Sequence, residues 1–109
     1  MDIELPEIIS RYFAADAEQG SDAVMRCFAQ DAVVRDEGKT YTGIDEIREW
    51  KEGAASTYSY TVEPFAIVGE GDRIIVTSHL VGTFPGSPVD LRYRFVLSED
   101  MIAALEIVP

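Results

Sequence analysis

The sequence predicts an α+β domain in which three N-terminal helices cover one face of a curved, mainly antiparallel β-sheet. Three observations predict it: apolar residues recur at helical spacing in three segments before Ser56, the period then changes to that of strands, and the strand-like segments are joined by turn compositions. With 109 residues the chain fits one domain, spanning 1–109, because a second core would have too little chain.

From Leu5 to Gln19 the residues Leu5, Ile8, Ile9, Tyr12, Phe13 and Ala15 form one helical stripe, with Pro6 suited to a first turn and Gly20 to a terminus. Ser21 can cap a second helix whose stripe is Ala23, Val24, Cys27 and Phe28, and which ends near Ala29 to Asp31. Ala32 to Asp36 is short and β-branched, and Glu37-Gly38-Lys39 reads as a turn into Thr40-Tyr41-Thr42, which predicts a small hairpin. Ile44, Ile47 and Trp50 give a third helix to about Ala55, with Asp45 as its cap. Tyr58 to Val68, Arg73 to Phe84, Val89 to Leu97 and Met101 to Val108 then form an antiparallel meander.

Nine Lys+Arg against twenty Asp+Glu leave a net charge of −11, and the first 55 residues carry −7 of it. A field of that sign repels phosphate backbones and anionic lipids, so neither nucleic acid nor a membrane is an expected partner. Cys27 is the single cysteine, which excludes an intrachain disulfide and a Cys-rich metal site and fits a reducing, cytoplasmic setting. Asp2 and Glu4 stand where a signal peptide needs positive charge, and no apolar run approaches the roughly 20 residues of a membrane span. The last two strands are apolar on both sides, so the face away from the helices is expected to pack on a second copy as a homodimer.

Arg11-Tyr12-Phe13-Ala14-Ala15, the segment from Cys27 to Asp36, and Thr42-Gly43-Ile44-Asp45-Glu46-Ile47-Arg48-Glu49-Trp50 resemble the nuclear transport factor 2-like superfamily, particularly its SnoaL-like and ketosteroid-isomerase-like branches. Gly71-Asp72-Arg73-Ile74-Ile75-Val76 and Leu80-Val81-Gly82-Thr83-Phe84 continue the resemblance over nearly the whole chain. It implies a cone: a strongly bent sheet around the long first helix, with an apolar cavity that takes a small hydrophobic metabolite. Because that superfamily also holds hydratases, epoxide hydrolases, polyketide cyclases and dimerisation modules, the fold alone does not select an activity.

In ketosteroid-isomerase-like members a carboxylate at the end of the first strand moves a proton, while a first-helix tyrosine and a protonated aspartic acid hold the enolate oxygen. Asp36 and Tyr12 match the first two positions. A carboxylate at the mouth of an apolar pocket loses hydration and gains basicity, and a phenol can donate to developing negative charge. The third position is Leu91, which departs from the pattern and argues against steroid isomerisation; Asp90, one residue away, faces the opposite side of its strand.

Glu106 interrupts an apolar strand and, in the same alignment, faces the cone, where it could pair with Asp36 in acid/base chemistry. Its other reading is an ion pair with an Arg on a neighbouring strand or a place at an exposed sheet edge. Asp36 can equally close a strand before a turn, and Tyr12 can be core. Trp50, Leu91 and Tyr93 are the expected ligand-lining positions. His79 falls on the strand face opposite Ile74, Val76 and Leu80, toward the dimer side or solvent, and Cys27 reads as an inert core thiol. Neither a metal-ligand spacing nor a nucleotide-binding loop occurs, so neither metal nor cofactor is expected. The expected function is small-molecule binding with proton transfer by Asp36, as in an isomerase, hydratase or cyclase. The alternative is a non-catalytic ligand-binding or dimerisation module.

Overall fold

The computed structural model describes residues 4–18, 21–57 and 59–109, with the side chains of 21 and 54–57 outside that set. Helix α1 (Glu7–Ala17) starts just after Pro6, whose carbonyl accepts the Ser10 N–H at 3.0 Å. Its expected terminator Gly20 lies outside the described residues. Helix α2 (Ser21–Met25) is one turn and a half, shorter than its apolar spacing predicts, and Cys27 and Phe28 are not part of it. The chain instead enters strand β1 (Phe28–Asp36) four residues before the expected Ala32. The reason is tertiary: the Cys27 carbonyl accepts the Ile102 N–H at 2.9 Å, and Phe28 pairs with Ile102 on the last strand, which overrides the local helical pattern.

Glu37 and Gly38, with φ of 53° and 76°, form the two-residue turn that pairs Asp36 with Lys39, so Lys39 already belongs to β2 (Lys39–Thr42). Both positive φ values fit the turn that matches strand twist, and the turn fixes Asp36 as the last strand residue. Helix α3 (Gly43–Thr57) follows directly; Glu46 Oε1 accepts the Thr42 N–H at 2.8 Å, and the expected cap Asp45 lies inside the first turn. Thus the hairpin stands between the second and third helices in chain order, and the three helices do not all precede the sheet.

The meander β3 (Tyr60–Glu70), β4 (Arg73–Gly82), β5 (Val89–Ser98) and β6 (Met101–Val108) completes one six-stranded sheet in the order β2-β1-β6-β5-β4-β3. Every neighbouring pair is antiparallel except β1 with β6, which is parallel. Gly82 is required where β3 begins: a Cβ there would lie 2.3 Å from the Ser59 carbonyl oxygen and 2.5 Å from the Tyr60 Cβ.

Register sorts the side chains. Asp36, Ile107, Tyr93 and Val76 form one row across four strands, and Arg35, Glu106, Arg94 and Ile75 form the next. Since successive residues point to opposite faces, the first row faces the helices and the second faces away. On the helix side Tyr12 sets its ring edge to face against Phe13, Phe28 and Phe95, and the α1 stripe closes the core on β5. The outer face is mixed, with Val68 and Val81 exposed beside the Arg94–Glu106 and His79–Asp90 pairs. No helix among the described residues is long and apolar enough to cross a membrane.

Candidate functional site

The helix-facing side of the sheet, the hairpin and α3 border a cavity of about 820 Å³. Asp36, Trp50, Leu91 and Tyr93 line it together, as do Lys51 and Tyr60, which the sequence reading missed. Asp36 reaches the cavity because the tight turn ends β1 there. Trp50, fourteen residues on, comes beside it because α3 folds back from the same hairpin; its indole Nε1–H donates to Asp36 Oδ2 at 3.0 Å. The ion pairs of the described residues involve other carboxylates, so the bond from Trp50 orients Asp36 without neutralising it.

Trp50 also presents its ring to Lys51 Nζ, 4.4 Å from the centroid. Lys51 extends toward α1, where Nζ donates to Asp16 Oδ1 at 2.6 Å. Both side chains are nearly enclosed, at 9% and 5% exposure, which makes this the one ion pair among the described residues withdrawn from water on both sides. Tyr60 joins them: its hydroxyl accepts from Lys51 at 3.4 Å and donates to Asp16 at 3.3 Å. Burial pushes the Tyr60 phenol above its ordinary range, the nearby Lys51 charge offsets part of that rise, and the side chain remains a neutral donor. A lysine and an aspartate on helices carry no pattern that distinguishes this pair from a solvated face; Asp16 directly following the stripe residue Ala15 is the sole hint.

Tyr12 sits differently from its expected role. It is fully buried, its hydroxyl has no partner among the described residues, and it does not line the cavity. Edge-to-face packing on Phe28 and Phe95 holds it behind the wall formed in part by Tyr93. Its pKa is raised strongly, first by burial and then by the negative charge of Asp16; burial likewise raises that of Tyr93.

Glu106 is not brought to Asp36. It lies in the outward row, where Arg94 Nη1 donates to its Oε1 at 3.1 Å, while the adjacent Ile107 faces the cavity. The one-residue alternation of a strand accounts for this correction. His79 is also outward, with Nδ1 2.7 Å from Asp90 Oδ1 on β5, and Leu91 rather than Asp90 lines the cavity. Cys27 is buried, its Sγ–H directed at the Ala23 carbonyl at 3.7 Å, and burial raises its pKa away from the reactive thiolate. Among the described residues no group of three or more His, Cys, Asp or Glu could hold a metal ion.

The model of the SnoaL-like domain matches residues 9–103. The chain belongs to the SnoaL-like domain family. A crystal structure from Sinorhizobium meliloti, of a protein proposed to be a polyketide cyclase, is 43% identical, covers 94% of each chain and superposes with a TM-score of 0.90. A ketosteroid isomerase-like fold from Catenulispora acidiphila, solved in complex with trimethylamine, is 21% identical over 97% of this SnoaL-like chain and 87% of that one, with a TM-score of 0.85. The epoxide hydrolase/cyclase-like enzyme SalBIII of salinomycin pyran-ring formation is 22% identical over 94% and 87%, with a TM-score of 0.81. No curated protein matches. The architecture is therefore nuclear transport factor 2-like, as the residues of this SnoaL-like domain led one to expect.

Proposed function

We propose that this SnoaL-like domain binds a small, largely apolar molecule in its cavity and that Asp36 moves a proton on it. The observation that carries the reading is the Trp50 indole N–H holding Asp36 Oδ2 at the cavity wall. One carboxylate oxygen is thereby fixed and the other is available to a carbon acid, the geometry that general-base work needs. Leu91 and Tyr93 supply wall, and Leu91 supplies no acid, so the chemistry is proton abstraction beside a carbonyl without the two-donor oxygen site of steroid isomerases. The cyclase proposed for the Sinorhizobium relative and the cyclisation chemistry of SalBIII support a cyclisation or isomerisation of an oxygenated metabolite. No metal or cofactor takes part in this reading, and a homodimer through the outer sheet face completes it.

The test is deuterium exchange at the α-carbon of small cyclic ketones, 1-indanone and 2-tetralone, followed by proton NMR in D2O. The wild-type protein accelerates exchange, and Asp36→Asn, which keeps an acceptor for Trp50, lowers the rate by about 10²- to 10⁴-fold. Ketone binding without accelerated exchange, or exchange unchanged in Asp36→Asn, overturns the catalytic role and leaves the non-catalytic binding module.

A further inference from the structure

We infer that Lys51, held by Asp16 and Tyr60, is the cavity's binding group for a neutral ligand oxygen that develops negative charge, so that the ligand is an enolisable ketone or a phenol with an apolar body. The inference rests on the cavity reading above and adds a residue and a ligand chemistry to it. An ammonium has three N–H donors. Among the described residues two acceptors face this one, Asp16 at 2.6 Å and Tyr60 at 3.4 Å, and the third donor is left for the cavity that Lys51 lines. The Trp50 ring at 4.4 Å confines the ammonium from the side, so its position is fixed before any ligand arrives.

The placement complements Asp36. One indole separates the two groups: its N–H binds the base and its face lies against the cation. A ligand oxygen near Lys51 with its α-carbon toward Asp36 would lose a proton at one group while its oxygen gains charge at the other. The proton goes to the Asp36 carboxylate, the C–H bonding pair becomes the enolate π system, and the negative charge rests on the oxygen that Lys51 holds. Asp16 keeps the resting pair neutral, so a permanently anionic ligand competes with a carboxylate already in place at 2.6 Å, whereas a neutral ketone or phenol takes the remaining donor. Lys51 stands in for the acid that Leu91 replaces, from a different element of the fold.

The experiment compares 2-naphthol with 2-methylnaphthalene, nearly the same shape with and without the oxygen, by titration calorimetry. Wild-type protein binds 2-naphthol about 10- to 100-fold more tightly, the range for one hydrogen bond to a charged group. Lys51→Met binds the two alike. Because that variant leaves Asp16 buried without its partner, Asp16→Asn/Lys51→Met, which keeps neither charge, is measured beside it and also binds the two alike. In wild type the Lys51 ¹⁵Nζ resonance moves with 2-naphthol and stays with 2-methylnaphthalene. Equal affinity of wild type for both probes, a stationary Nζ resonance, or a 2-naphthol preference retained in the double variant overturns the assignment of Lys51 and leaves the cavity reading standing. Failure of wild type to bind either probe overturns the cavity reading, and this inference with it.

Discussion

At Trp50 a single side chain serves both ends of the site, since the indole N–H fixes Asp36 at 3.0 Å and the ring lies 4.4 Å from Lys51 Nζ. Trp50→Phe therefore keeps an aromatic wall and loses the donor. It is expected to cost about 2 kcal/mol in urea unfolding, the value of a hydrogen bond to a charged group plus a weakened cation–π contact, and to slow ketone exchange through kcat more than KM. A variant with unaltered exchange and stability would show that Asp36 orients itself. Asp36 and Trp50 were each legible as candidates, because a strand-ending acid before a turn and an aromatic on a helix stripe are visible in the residues. Their bond was not, since it depends on how the hairpin returns α3 to the sheet. Lys51 escaped notice for the opposite reason: its neighbours in the chain give no sign that Asp16, thirty-five positions away, shares its burial. Glu106 shows the limit of alignment, where an offset of one residue exchanged it with Ile107 and reversed its face.

Helix α1 meets β5 through an aromatic cluster in which Phe13 contacts Tyr93 and Phe95, and Tyr12 contacts Phe95. That contact sets an alkaline limit on stability. Burial raises the Tyr12 and Tyr93 phenols above the 10.0 of a free tyrosine, so above that pH the unfolded chain releases protons while the folded chain retains them. Their contribution is fully present below pH 10.0 and declines as pH rises, by up to about 1.4 kcal/mol per pH unit for each tyrosine. Tyr12→Phe removes one of the two and also removes a buried hydroxyl without a partner, so its unfolding free energy should fall less steeply between about pH 10 and 11 and be no lower at neutral pH. Urea unfolding across that range measures both; an identical slope in the variant would mean that the Tyr12 phenol ionises no differently in the folded chain. The stripe of α1, the hairpin and the meander were legible because each repeats its period locally. The start of β1 was not, because Ala23, Val24, Cys27 and Phe28 satisfy a helix while Phe28 is claimed by Ile102, a parallel pairing across more than seventy residues that no local pattern encodes.

For the molecule as a whole, the open question posed by a charge of −11 is how two copies could meet. The outer sheet face offers a location. Register places Arg35, Arg73, Arg92 and Arg94 there against Glu63, Glu70, Asp90 and Glu106, so this face is close to balance and nearly all of the net charge lies elsewhere. Val68 and Val81, 54% and 47% exposed, provide apolar area beside the cross-strand pairs, in place of the wholly apolar face that the last two strands suggest in sequence. A second copy is the expected occupant, since an isologous contact brings each patch of one sign against the same mixed surface. Between whole copies the repulsion is long-ranged, and screening shortens its reach from about 30 Å at roughly 0.01 M salt to about 8 Å at roughly 0.15 M. The dimer should therefore tighten as salt rises over that interval, opposite to an association held by charge attraction. Light scattering after size exclusion should give twice 12.1 kDa for wild type and 12.1 kDa for Val68→Glu/Val81→Glu, which adds like charges to the apolar area. A wild-type mass of 12.1 kDa at every salt concentration, or a double variant that pairs as wild type does, would remove the outer face as an interface and leave the cavity of each chain to act alone.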